Sequence, residues 1–361
     1  MAAFIKGLDL CESFFSDIAK PILDKEFPSL KYSAALIGYG SDVIGFDNEI
    51  STDHMWGPRF NLYLEDRNFE EVSKRISDIF SLNFPYDFQG FTTNFSKPNV
   101  NDNGVRHPEV TREGKVNHLV EFHTLSGFFE TYLGYHPAND LSNSQWLTFP
   151  EHRLLAVTAG RVFHDDLDLS KIREKLSFYP DDIWVYLMAS QWTMISEEEA
   201  FVGRCGHVGD ELGSRIITLR IINHLMRLCF LMERRYAPYS KWFGSAFKTL
   251  EVSNKLLHIL EKASLANSWE ERQKYLSQAY MIVAEKHNTL GITPYIKPNI
   301  RDFYGRPYLV LFADAFASEL SKCIKSDILR DKAKIGSVTH FTDVSGINDE
   351  LGICSVLRRL Y

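Results

Sequence analysis

The sequence predicts an α+β protein: an N-terminal α/β domain on a mixed sheet over residues 1–150, then a C-terminal helical bundle over 151–361. Three observations carry this. An apolar run from Ser33 to Ile37 ends in Gly38 and Gly40, as a buried strand ends in a turn. Phe60, Leu62 and Leu64 alternate with Asn61, Tyr63 and Glu65, the two-residue period of a second strand. From about residue 146 the apolar period becomes helical, and a segment over 206–235 is apolar almost all round, as at the centre of a bundle.

The elements follow in order. Phe4, Ile5, Leu8, Phe14, Phe15, Ile18 and Ile22 give residues 3–26 a helical spacing interrupted by Pro21. Residues 68–80 place Phe69, Val72, Ile76 and Phe80 on one helical face. Residues 84–114, rich in Asn, Pro, Gly and Thr, read as a long loop. A strand is expected over 116–124. Helices are expected near 168–178, 181–200, 206–235, 239–264, 268–289 and 307–325, with Asp181 and Ser240 as start signals. The stretch near 335–345 reads as a loop or short strand.

Composition narrows the function. The chain of 361 residues is 45% apolar and 13% aromatic, enough for substantial cores. A net charge of −7 argues against non-specific nucleic-acid binding, which needs a basic surface. Five scattered cysteines without a Cys-x-x-Cys pair read as reduced thiols in a cytosolic protein. The start lacks the basic region and apolar core of a signal peptide, and no charge-free run of membrane-spanning length occurs.

The chemistry concentrates in residues 38–65. Gly38, Gly40 and Ser41 end the first strand, and glycines there let successive N–H groups form an anion-binding concavity. Asp53 follows just before the second strand. A phosphate-gripping turn with a carboxylate at a strand edge suits phosphoryl or nucleotidyl transfer. An ordinary strand–turn–strand with a capping Asp fits the same spacing. Gly40-Ser41, a short spacer and Ser51-Thr52-Asp53 resemble the signature of the polymerase-beta-like nucleotidyltransferase superfamily, in which an Asp-x-Asp pair opens a strand and a third carboxylate lies on its neighbour. The string from Gly45 to Arg59, with Glu199–Arg204, Gly209–Arg215 and Arg235–Trp242, resembles one bacterial branch known only as a domain of unknown function.

By that resemblance Gly40 and Ser41 would hold phosphates, Asp53 would bind Mg²⁺ or Mn²⁺, and Glu121, in Val120-Glu121-Phe122, would be metal ligand or general base. Met55 stands where the second carboxylate is expected, and a thioether is a poor Mg²⁺ ligand. Asp47 or Glu49 could supply the missing oxygen. The resemblance implies transfer of a nucleoside monophosphate from an NTP such as ATP to a small hydroxylated acceptor. Met55 motivates the alternative of a nucleotide-binding or regulatory protein. His164-Asp165-Asp166 suggests a metal phosphohydrolase, or aspartates capping a helix. Lys241 and Trp242 could meet a triphosphate and a base, or only pack. Arg220, Asn223, His224, Arg227 and Arg234 form a polar stripe needing acidic partners, such as Asp210, Glu211 or Glu233, or a ligand phosphate.

Overall fold

A computed structural model describes residues 3–342 and 344–361. The α+β class holds: strands dominate the early chain and helices the later part. The chain forms two compact units, Met1–Asp140 with Arg153–Ser177 and Leu141–His152 with Phe178–Tyr361. Where the sequence suggests one boundary near residue 150, the segment Arg153–Ser177 returns to the first unit. The reason is a strand within it, Arg161–Asp165, whose short Val-Phe pair gives no visible alternation.

The first unit is built on β1 (Tyr32–Leu36) and β2 (Arg59–Leu64). A small hairpin, β3 (Asp87–Phe88) and β4 (Phe91–Thr92), stands apart, followed by β5 (Leu119–Thr124) and β6 (Arg161–Asp165). The main sheet has the order β5-β2-β1-β6. β1 runs antiparallel to β2 and to β6, whereas β2 and β5 are parallel. Every residue of β1 and β2 is buried. The alternation of β2 therefore separates two buried faces. Phe60, Leu62 and Leu64 join Phe14, Phe15 and Phe80 in an aromatic core. Arg59, Asn61 and Tyr63 line the other face, where polar groups must find partners because water is excluded.

The expected N-terminal helix runs as Gly7–Phe14 and Lys20–Glu26, joined by a π-helical turn over Phe15–Ala19. Pro21 lacks the N–H that would continue the ladder, and the wider turn falls just before it. The helix expected over 68–80 extends over Phe69–Asn83. The long loop of 84–114 contains the β3–β4 hairpin, turned by Gln89 and Gly90, both at positive φ. That is a two-residue hairpin loop with a non-glycine residue in the left-handed region, which residue type alone does not signal.

The second unit is mainly helical, around Asp181–Glu198 and Glu211–Met232. The segment expected as one helix over 206–235 is split: Phe201–His207 ends, Gly209 turns at φ 83°, and Asp210 caps the next helix by accepting from the Gly213 N–H at 2.7 Å. That next helix is not enclosed on all sides, since Ile216 and Leu219 are 50% and 54% exposed. The segment of 239–264 likewise divides into Ser240–Phe247 and Ser253–Leu265. Ahead of the helix Asp314–Cys323 lies a hairpin of β7 (Arg301–Phe303) and β8 (Arg306–Val310), so this unit is not wholly helical. Within 335–345, Val338–Phe341 forms a short helix and Asp343 lies outside the described residues. Among the described residues no helix is long and apolar enough to cross a membrane. None of the five cysteines is joined in a disulfide.

Candidate functional site

The turn after β1 folds over the polar face of the sheet. Gly38 and Gly40 have φ of 100° and 122°, a region costly for other residues. A Cβ on Gly40 would lie 2.1 Å from Asp42 Oδ1 and 2.5 Å from an Arg59 guanidinium nitrogen. Gly40 thus lets the turn close on a buried ion pair, in which an Arg59 nitrogen donates to both Asp42 oxygens at 2.9 and 3.0 Å. Arg59 is 3% exposed, donates to the Tyr39 carbonyl at 3.1 Å, and lies 4.7 Å from the centre of the Tyr39 ring. The Tyr39 hydroxyl donates to Glu121 Oε1 at 2.7 Å, and the Tyr39 N–H donates to the Tyr132 hydroxyl at 3.1 Å.

Parallel pairing sets Asn61 opposite Glu121 and Tyr63 opposite His123. His123 Nε2 is 3.6 Å from Glu121. Burial opposes charge on Glu121, yet hydrogen bonds from His123 and Tyr39 and the Arg59 charge hold its carboxyl below the usual value. Burial, with the Glu121 charge, pushes the Tyr132 hydroxyl up to about 12. One group of donors stays open. Among the described residues the N–H groups of Gly40 and Ser41, and the Ser41 hydroxyl, take no hydrogen-bond partner, and the Ser41 carbonyl accepts from Phe46 N. Gly40 is exposed and Ser41 half-buried, so these donors can reach a ligand oxygen.

The expected metal carboxylates are not gathered. Asp47 is buried with both oxygens engaged: Oδ1 accepts from Lys6 Nζ at 3.1 Å, and Oδ2 from Gly7 N at 2.7 Å and Trp56 Nε1 at 3.2 Å. Asp53 does not open β2. It ends a short 3₁₀ turn, Glu49–Asp53, exposed and paired with His54 at 2.8 Å. The hydrogen bond from His54 lowers its carboxyl from the usual value. Met55, at φ 48°, exchanges contacts with Arg106, whose N–H lies 3.3 Å from the Met55 sulfur. The residues opening β2 are Arg59 and Asn61. Among the described residues no three His, Cys, Asp or Glu side chains are grouped to hold a metal ion. This donor set does not fit Mg²⁺ or Mn²⁺, which need several convergent hard oxygens.

Asp165 caps a helix, accepting from Leu169 N at 2.9 Å and Ser170 N at 2.8 Å, while His164 pairs with Asp166 at 2.8 Å. Lys241 and Trp242 belong to the second unit, where the Lys241 ammonium lies 5.0 Å from the centre of the Trp242 ring. Tyr39, Asp42, Arg59 and Tyr132 were not legible as site residues. Asp42 directly after Ser41 was the available signal, since a buried carboxylate requires a cation.

In the second unit the polar stripe divides. Arg234, in the left-handed region, pairs with Asp181 at 2.8 Å and lies over the Trp184 ring. Arg220, Asn223, His224 and Arg227 instead line a cavity of about 710 Å³. Arg220 pairs with Glu198 at 2.7 Å, and Arg227 lies 3.8 Å from buried Glu151. The anticipated acids serve elsewhere: Glu211 binds the fully buried Arg272, and Glu233 accepts from the Glu251 and Val252 N–H groups. Burial pushes Glu151 up to about 7 and, helped by the Arg227 and Arg220 charges, His224 down to about 4.

Two residues of the first shared motif hold this unit together. Glu199 accepts from Leu311 N at 2.7 Å and Ala313 N at 3.1 Å, and Gly203 lets Tyr308 approach. Residues 146–243 match the family model of a domain of unknown function, DUF4037. This agrees with the resemblance drawn from the sequence, and the matched stretch contains those three motifs. A crystal structure of a nucleotidyltransferase-like protein from Exiguobacterium sibiricum is similar at a TM-score of 0.30 and 10% identity, covering 86% of this chain and 89% of that one. So slight a likeness carries no argument. No curated protein matches.

Proposed function

We propose that this protein binds a nucleotide through the Gly40–Ser41 turn and is weak or inactive in metal-dependent transfer. The carrying observation is the pairing of open N–H and hydroxyl donors at Gly40 and Ser41 with a strand whose opening polar positions are Arg59 and Asn61. The donors suit phosphate oxygens. The strand offers a salt-bridged guanidinium and an amide where transfer would use carboxylates. The test is thermal stability with each NTP, with and without Mg²⁺, on the native protein and on Met55→Asp, together with pyrophosphate release. Asp also tolerates the left-handed backbone at this position. The expected outcome is stabilisation by an NTP without Mg²⁺, about 2.7 kcal/mol at 100 times its Kd, and no pyrophosphate. Absence of any NTP effect in either protein overturns the reading.

A second reading, nucleoside monophosphate transfer to a small hydroxylated acceptor, is favoured by the exposure of Asp53 and the partial accessibility of Glu121. It requires rearrangement to bring these carboxylates to a metal. Under it, pyrophosphate is released from NTP and acceptor with Mg²⁺, and Asp53→Ala abolishes release at unchanged Tm.

A further inference from the structure

The helical unit contains polar groups that neither its packing nor the nucleotide reading uses. The cavity beside the Glu211–Met232 helix has an apolar wall of Met194, Ile216, Leu219 and Phe341. Its polar wall includes Glu198, Arg220, Asn223, His224, Arg227 and His340, with Glu197 and Thr342 at its edge. Both arginines have carboxylate partners: Arg220 is held by Glu198, and Arg227 lies against Glu151. No arginine is left over for a phosphate, so the cavity differs in kind from an anion site.

The protonation of the histidines follows from their partners. His224 Nδ1 lies 3.1 Å from Gln191 Oε1, which only accepts, so Nδ1 carries the proton and Nε2 is the acceptor in the neutral ring. His340 is the mirror case. Its Nδ1 accepts from the Ser337 N–H at 3.3 Å, leaving Nε2–H as a donor. The His340 side chain is fully buried, and its Nε2 lies 3.9 Å from Glu151 Oε2, beyond hydrogen-bond distance. Glu198 Oε2 is a second buried cavity-wall atom without a hydrogen-bond partner.

Side chains with donors (Asn223, Arg220) and with acceptors (His224, Glu198) therefore share the lining with apolar and aromatic residues. A hydroxyl group is both donor and acceptor, and a ring carrying several hydroxyls also has an apolar face. We infer that the cavity lined by Glu198, His224, His340 and Phe341 binds an uncharged, polyhydroxylated ring compound such as a sugar, cyclitol or nucleoside. The inference stands on the helical unit alone and goes beyond the nucleotide reading.

The experiment uses the full chain and a fixed panel at millimolar concentration: adenosine, uridine, D-glucose and myo-inositol, with inorganic phosphate and pyrophosphate as anionic probes. Binding is read by saturation-transfer NMR and thermal shift. At least one neutral ring is expected to bind saturably. Leu219→Trp, a substitution on the half-exposed wall, fills the cavity and should weaken that binding at least tenfold at unchanged Tm. Glu198→Gln should weaken it less. The inference is overturned if no neutral ring binds, if binding survives Leu219→Trp, or if only the anions bind in a manner sensitive to Leu219→Trp. NTP binding that persists in any of these cases leaves the nucleotide reading untouched.

Discussion

Two buried arginine–carboxylate pairs, one in each unit, show how differently the same chemistry can be set. Arg59 donates directly to Asp42 at 2.9 and 3.0 Å, and the neighbouring Glu121 is held below the usual carboxyl value once its hydrogen bonds and the Arg59 charge offset burial. Arg227 lies 3.8 Å from Glu151, a longer contact, and burial pushes Glu151 up to about 7. The lesson is that nearness to an arginine does not decide a carboxyl's charge. The balance with burial does: Glu121 takes hydrogen bonds from two side chains, whereas the single bond from Ala237 N and the distant Arg227 do not offset the burial of Glu151. The sheet unit has a network of short direct contacts with its open donors at the rim, and the helical unit has a looser one around a cavity.

The sharpest way to break this comparison is to remove each arginine. Arg59→Met leaves Asp42 buried without its cation and should cost about 3–5 kcal/mol in urea unfolding. Arg227→Met should cost less, about 1–2 kcal/mol near pH 7, because Glu151 can take up a proton instead of remaining an unpaired charge. Equal losses would show that the two networks do not differ.

Glycine substitutions separate packing from propensity within the helical unit. Gly206→Ala would place a Cβ 2.2 Å from Trp269 and should destabilise by about 1–3 kcal/mol. Gly244→Ala, in the helix Ser240–Phe247 with open space around it, should stabilise by roughly 0.5–1 kcal/mol. Opposite shifts in Tm check the pair.

The pH dependence sharpens the carboxyl comparison. Glu151 binds its proton more tightly folded than unfolded, so its contribution is full below the unfolded value of 4.5 and is lost as pH rises through about 7. Glu121 is the reverse: its contribution is present above 4.5 and is lost as pH falls through its lowered folded value. Glu151→Gln should therefore make stability fall less between pH 4.5 and 7, by on the order of 1 kcal/mol, whereas Glu121→Gln should flatten only the acid side. Denaturant titrations across pH read both slopes.

The strands β1 and β2, the Gly-rich turn between them, the helix after β2 and the helical character of the later chain were legible in the sequence. Each rests on a local period or on residues at a turn. The polar stripe was legible too, as Arg220, Asn223, His224 and Arg227 at helical spacing. Its partners were not, because Glu151 and Glu198 reach it only through folding. The split at Gly209 was visible as a glycine followed by Asp210, and was outweighed by the apolar run on both sides. In the candidate site, Gly40, Ser41 and Glu121 could be picked out by residue type, whereas Arg59 read only as the start of a strand.

By itself, then, the sequence determined the α+β class, the position of the glycine-rich turn and the presence of Met55 two residues after Asp53, all properties of neighbouring residues. Tertiary structure alone decided that β6 returns to the sheet, that Asp47 belongs to Lys6, Gly7 and Trp56, and that Asp53 stands exposed beside His54. A carboxylate's role depends on which donors and cations folding brings to its oxygens and how much water folding removes. Neither quantity is written in the order of residues along a strand.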